Sequence, residues 1–160
     1  DLEGFREFTD YSMKGRTYRY LEKEPLYPFG YGLTYSRVEV KEAALVNEPQ
    51  AGRDYEVRAV LENTGSFDTD EVLQVYIRAE DSVWAPLHPS LCAFARVSLK
   101  AGERKEVNLT VPASSLTVVD EEGRRLVDGT HFSLYVGTSQ PDERSAALTG
   151  MRPVRIEITL

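Results

Sequence analysis

The chain has 160 residues, a formal net charge of −7 and a single cysteine, Cys92. That length suits one domain plus an appendage, and a compact fold of this size buries about 70% of its unfolded surface. The acidic balance argues against a nucleic-acid partner, one cysteine excludes an internal disulfide, and no run approaches the roughly 20 apolar residues of a membrane-spanning helix. The chain opens on Asp1 without a signal peptide and reaches its first methionine at Met13, which reads as a piece of a longer polypeptide. The lone thiol and the missing signal favour a bacterial cytoplasm.

Residues 1–14 carry no firm period, although Leu2, Phe5, Phe8 and Tyr11 recur every three residues as in a short helical turn or extended arm. The stretch from Gly15 to Ser36 is different. It holds Tyr18, Tyr20, Tyr27, Phe29, Tyr31 and Tyr35, interrupted by Pro25, Pro28, Gly30 and Gly32. Regular helices do not tolerate that density of Pro and Gly, and strand alternation fails across it. Each ring nevertheless has roughly 150–250 Å² to bury. The segment therefore reads as an ordered, irregular strap between two surfaces, with Thr17 to Glu22 extended. Its Gly30-Tyr31-Gly32 lacks the lysine and strand-to-helix setting of a phosphate loop, so these glycines serve positive φ or close backbone approach.

From Tyr35 onward short runs alternate. Tyr55, Val57, Ala59 and Leu61 form one apolar face, as do Leu73, Val75, Ile77 and Ala79, then Val107, Leu109 and Val111, then Phe132, Leu134 and Val136, and finally Val154, Ile156 and Ile158. A period of two with one polar face marks half-buried antiparallel strands. Two further runs, 37–46 and 91–99, slip phase near Glu42 and Phe94, as at a bulge or a sheet edge. Turns are signalled at Pro49 to Gly52, Asn63-Thr64-Gly65, Lys100 to Gly102, Glu121-Glu122-Gly123 and Asp128-Gly129. Seven or so such strands predict an all-β antiparallel sandwich, with residues 138–150 a solvated loop or weak strand.

No chemical constellation stands out. His88 and His131 lie far apart, and one cysteine gives no zinc-ligand spacing. The acidic residues Asp120, Glu121, Glu122 and Asp128 do not match a calcium loop, and Gly123 marks a hairpin turn instead. Ser114 and Ser115 have no histidine at a useful spacing. Cys92 in its apolar run reads as a buried, inert thiol. No catalytic, cofactor or metal residue is assigned, and Trp84 beside His88 in a Pro-rich loop is the one candidate for stacking on a sugar ring.

The motifs GRTYRY and PLYPFGYGLTYS, with Asn63-Thr64-Gly65, the run Asp70 to Tyr76, Leu91, Phe94, Arg96-Val97, Leu99 to Glu103, Asp128-Gly129 and Val136-Gly137, resemble glycoside hydrolase family 3 enzymes. The likeness is to their β-glucosidases and β-xylosidases, where an α/β-sandwich domain leads into a C-terminal fibronectin type III-like domain. Departures are Thr69, where the family often has Gly, and Leu91-Cys92-Ala93-Phe94 in place of Leu-Lys-Gly-Phe. The resemblance implies that residues 1–34 are the tail of the α/β-sandwich domain plus strap, and 35–160 an immunoglobulin/fibronectin type III-like sandwich. It implies no catalytic residue here, because the family's aspartate nucleophile lies on a (β/α)₈ barrel and its glutamate acid/base usually on the α/β-sandwich domain. The implied partners are those two domains of a parent glycosidase, with a β-linked sugar reached only through the parent. Phe5, Phe8, Tyr18, Tyr20, Phe29 and Tyr31 are the expected interdomain contacts, with Phe29, Tyr31 and Tyr35 leaning on the sandwich and Phe5, Phe8, Tyr18 and Tyr20 on the absent domain. A free-standing carbohydrate-binding or adhesion module is the alternative.

Overall fold

The computed structural model describes residues 9–50 and 52–160. Among them, the alternating runs become seven strands: β1 (Val38–Leu45), β2 (Tyr55–Asn63), β3 (Thr69–Ala79), β4 (Ser90–Leu99), β5 (Arg104–Val111), β8 (His131–Gly137) and β9 (Val154–Thr159). A small hairpin, β6 (Val118–Val119) with β7 (Arg125–Leu126), bridges β5 and β8. The long strands form two antiparallel sheets, ordered β1-β2-β5 and β4-β3-β8-β9. This is the expected all-β sandwich.

Packing follows the period-two faces. Val57, Ala59 and Leu61 of β2, with Leu109 and Val111 of β5, share one cluster with Leu73, Val75 and Ile77 of β3 and Leu134 and Val136 of β8. Burying such a side chain is worth roughly 1.5–3 kcal/mol, so this cluster carries most of the driving force. Asn63 is fully buried at the end of β2. Its Oδ1 accepts from Ser36 Oγ at 2.6 Å and Gly65 N at 3.1 Å, while its Nδ2 donates to the carbonyls of Phe67 at 2.8 Å and Lys100 at 3.0 Å. A satisfied amide here joins a corner of one sheet to the end of the other.

Both phase slips are bulges on edge strands. Val40 pairs with Leu61 but Glu42 with Val60, leaving Lys41 unpaired in β1. Val75 pairs with Ala93 but Tyr76 with Leu91, leaving Cys92 extra in β4. The Cys92 thiol donates to the Val75 carbonyl at 3.2 Å, and burial pushes its pKa up to about 12.

Two local expectations are corrected. Thr17 to Glu22 is not extended; Thr17–Tyr20 makes one helical turn, α1, with Thr17 at a φ of 56°. Residues 138–150 contain the helix α2 (Glu143–Thr149). Its Asp142 N-cap accepts from Ser145 N at 2.6 Å, and Gly150 closes it in the left-handed region at a φ of 69°. Both are standard terminators, but a helix this short shows little periodicity.

The loop after β3 is clamped by one carboxylate. Asp81 accepts from Thr130 N at 2.9 Å, His131 N at 3.1 Å and His131 Nδ1 at 3.3 Å, and a Cβ on Gly129 would stand 2.2 Å from its Oδ1. The Thr130 amide, followed by the His131 amide and imidazole, holds the Asp81 carboxyl far below the carboxylate range.

Two outcomes are expected. Ile77→Ala should destabilise by roughly 2–5 kcal/mol and Arg78→Ala by under about 1, read as melting temperatures; equal shifts would reverse the strand faces. A depressed carboxyl contributes stability above its unfolded value, near 3.8 for Asp81, and loses it as pH falls below that toward the folded value. The gap in melting temperature between wild type and Asp81→Asn should therefore narrow as pH drops from about 6 to about 3. A constant gap would remove the clamp's electrostatic part.

Candidate functional site

The strap lies on the outer face of the four-stranded sheet. Its Pro and Gly content leaves the backbone no ladder of its own, so it is held by side chains of β3 that point away from the core. Gln74 and Tyr76 stand on what the alternation makes a polar face, yet both are buried. Tyr76 Oη donates to Gln74 Oε1 at 2.7 Å, and Gln74 Nε2 donates to the carbonyls of Gly30 at 3.0 Å and Thr138 at 2.8 Å. Desolvation raises the Tyr76 phenol well above its ordinary value. Gly30 adopts a φ of 76°, and a Cβ there would sit 2.2 Å from Gln74 Oε1 and 2.7 Å from Tyr76 Oη. Only glycine meets both demands.

Around this polar pair the rings assemble. Tyr18 stacks on Phe29 with centroids 4.0 Å apart, and each meets Tyr76 edge-on at 6.5 Å. Tyr18 Oη accepts from Leu91 N at 2.9 Å. Leu21 is tied by its carbonyl to His88 Nε2 at 2.7 Å, which places the proton on that nitrogen. The far side is closed by the segment around α2, where Gln140 N donates to the Phe29 carbonyl at 3.1 Å and Arg144 reaches the Leu26 carbonyl at 3.2 Å.

What the strap leaves uncovered is apolar. Tyr27, stacked 5.8 Å from Tyr31, is 64% exposed, Leu33 is 92% exposed and Phe94 of β4 is 67% exposed. A groove of about 460 Å³ runs between the strap and β4, past Tyr31, Leu33, Val72 and Phe94. A second cleft, of about 490 Å³, opens between Tyr18, Tyr27 and α2.

The strap aromatics therefore divide differently from expectation. Phe29 meets Tyr76 of β3 edge-on, and half-buried Tyr31 stacks on Tyr27 within the strap. Tyr35 does not lean on the sandwich, being 95% exposed, whereas Tyr18 packs inside this chain because Tyr76 offers it a dry ring edge. Tyr20 is half-buried beside Arg19, and Phe5 and Phe8 lie outside the described residues. Alternation alone assigns Gln74 and Tyr76 to solvent and so misses them. The available signal was a strap of rings that needed a surface, and a β3 outer face whose middle carried Gln74 and Tyr76.

Ser98 and Arg96 hold Asp70 low, Lys41 and Arg37 do the same for Glu39, and Arg152 for Glu143. Glu71, on the groove's rim, is pushed upward by burial, against which the Val72 amide works. Among the described residues no group of three or more His, Cys, Asp or Glu is placed to share a metal.

Gly30→Ala should detach the strap while sparing the sandwich. Amide exchange is expected to quicken at Tyr18 and Tyr31 and to stay slow at Val75 and Leu134. Unchanged exchange in the strap would show that close approach at Gly30 does not hold it.

Comparison with known proteins fits this geometry. Residues 71–140 match the fibronectin type III-like domain family. The chain is 41% identical to a xylan 1,4-beta-xylosidase of Xylanibacter ruminicola over 145 residues, covering 89% of this chain and 16% of that protein. It is 31% identical to a periplasmic beta-glucosidase of Salmonella typhimurium, covering 76% of this chain and again 16% of the relative. A crystal structure of beta-glucosidase from Listeria innocua with isofagomine superposes with a TM-score of 0.69 at 28% identity, over 98% of this chain and 20% of that one. The chain thus spans a fifth or less of these proteins. It belongs to the fibronectin type III-like domains, in the form carried by family 3 β-glucosidases and β-xylosidases.

Proposed function

We propose that this chain is a non-catalytic accessory part of a retaining family 3 β-glycosidase, acting by docking its strap-bearing face against the remaining domains. Residues 1–34 are the end of the α/β-sandwich domain and its linker, and residues 35–160 are the accessory domain. The observation that carries this reading is the face itself: exposed Leu33 and Phe94 line one groove with Tyr31, on which exposed Tyr27 stacks. Contiguous apolar surface beyond a few hundred Å² marks an interaction site. The similarity to small portions of a xylosidase and glucosidases supports a parent of that kind as the source of the opposing surface. A retaining mechanism needs two carboxylates roughly 5 Å apart beside a sugar pocket, and those belong to the parent.

Two measurements test this. The chain alone should turn over no aryl β-glucoside or β-xyloside; activity that survives a mock preparation would end the accessory reading. Hydrogen exchange compared between this chain and a longer polypeptide that adds the preceding domains should show new protection at Tyr27, Leu33 and Phe94. Protection that is identical in both would place the docking face elsewhere.

A further inference from the structure

We infer that a cation-lined cavity under the β3–β4 connection, distinct from the groove along Tyr31, Leu33 and Phe94, binds a carboxylated sugar such as a uronic acid. The cavity has a volume of about 300 Å³, at the lower end of the small-molecule range. Arg19, Arg78 and Arg125 line it, no carboxylate does, and this in a chain of net charge −7. Among the described residues the nearest acid to any of these three guanidiniums within ion-pair range is Glu80, 3.9 Å from Arg78 Nε. That Nε is buried without a hydrogen-bond partner. Arg125 spends one nitrogen on Thr117 Oγ1 at 3.3 Å, and among the described residues the Arg19 guanidinium bonds only the Tyr18 phenol, at 3.4 Å. Planar guanidiniums with donors to spare match a carboxylate.

The rest of the lining suits a pyranose. Trp84 and Tyr20 supply rings on which its apolar face can stack, and the hydroxyls of Ser90 and Ser114 can exchange hydrogen bonds with its own. A bare inorganic anion would leave the rings unused, and a neutral sugar would leave the guanidiniums unused. Nothing in this pairing depends on the identity of the parent enzyme.

Trp84 is the only tryptophan in the chain, so its fluorescence reports this cavity alone. Titration of the full 160-residue chain with glucuronate should give a saturable change, weakened by added salt. Glucose, lacking the carboxylate, and acetate, lacking the ring, should each bind at least about tenfold more weakly, the loss of about one charge-assisted bond. Arg78→Gln should weaken glucuronate by about tenfold or more. Arg125→Gln, on the exposed β6–β7 hairpin, repeats that test where Arg78→Gln lowers the melting temperature. The proposal fails if glucuronate gives no saturation, if acetate or glucose matches it, or if folded Arg125→Gln binds like wild type.

Discussion

An outward-facing tyrosine and glutamine on β3 are as dry as the core behind them, and their desolvation governs how the strap must lie. Tyr76 and Gln74 have three polar requirements between them, met by each other and by the carbonyls of Gly30 and Thr138. A buried polar group left unsatisfied costs roughly 1–3 kcal/mol, so the strap has to bring Gly30 to that point and no other. Each bond is worth only about 0.5–1.5 kcal/mol net, because an undocked strap would return these groups to water. Specificity of position comes from the hydrogen bonds, and adhesion from the stack of Tyr18 and Phe29 against the edge of Tyr76.

Among the strands β3 consequently has the longest unbroken run of buried residues, Leu73 to Ile77. Its inner side chains join the sheets, and its outer ones seat the strap. The two jobs make different energetic demands. The inner cluster is large and purely apolar, with Leu73, Val75, Leu134 and Val136 fully buried. The outer layer is thin, ring-rich and open on the side away from β3. A domain built this way folds around its core and keeps the strap face as a second, weaker layer ready to be thickened by a partner.

The sandwich was legible because the alternation over Tyr55 to Leu61 or Leu73 to Ala79 suits a half-buried strand and would scatter apolar residues all round a helix. Even the bulges at Lys41 and Cys92 showed as phase slips. Two local elements were not legible, for physical reasons. α1 is a single turn held by neighbours, and α2 depends on two caps more than on a hydrophobic stripe. The site was half legible. Ring density in the strap announced a contact surface, but which rings stay in the chain depends on Tyr76 being dry, and burial of a polar-face residue leaves no trace in a period-two pattern. The arginines of the cavity were silent as well, since residues 19, 78 and 125 meet only through the fold.

The bulges have a bearing on how this domain keeps company. Strands β1 and β4, each at the rim of its sheet, are interrupted by an extra residue. The other two rims carry exposed charge, Arg104, Lys105 and Glu106 on β5 and Arg155 and Glu157 on β9. All four edges are thus poor templates for a strand from another molecule. Intermolecular ladder formation, which any sequence with a free backbone can join, is discouraged. Association is left to ring edges and aliphatic side chains, where a neighbour must present complementary shape. The domain can therefore carry a sticky face at high local concentration without seeding a fibril, and its choice of neighbour is written in side chains that single substitutions can revise.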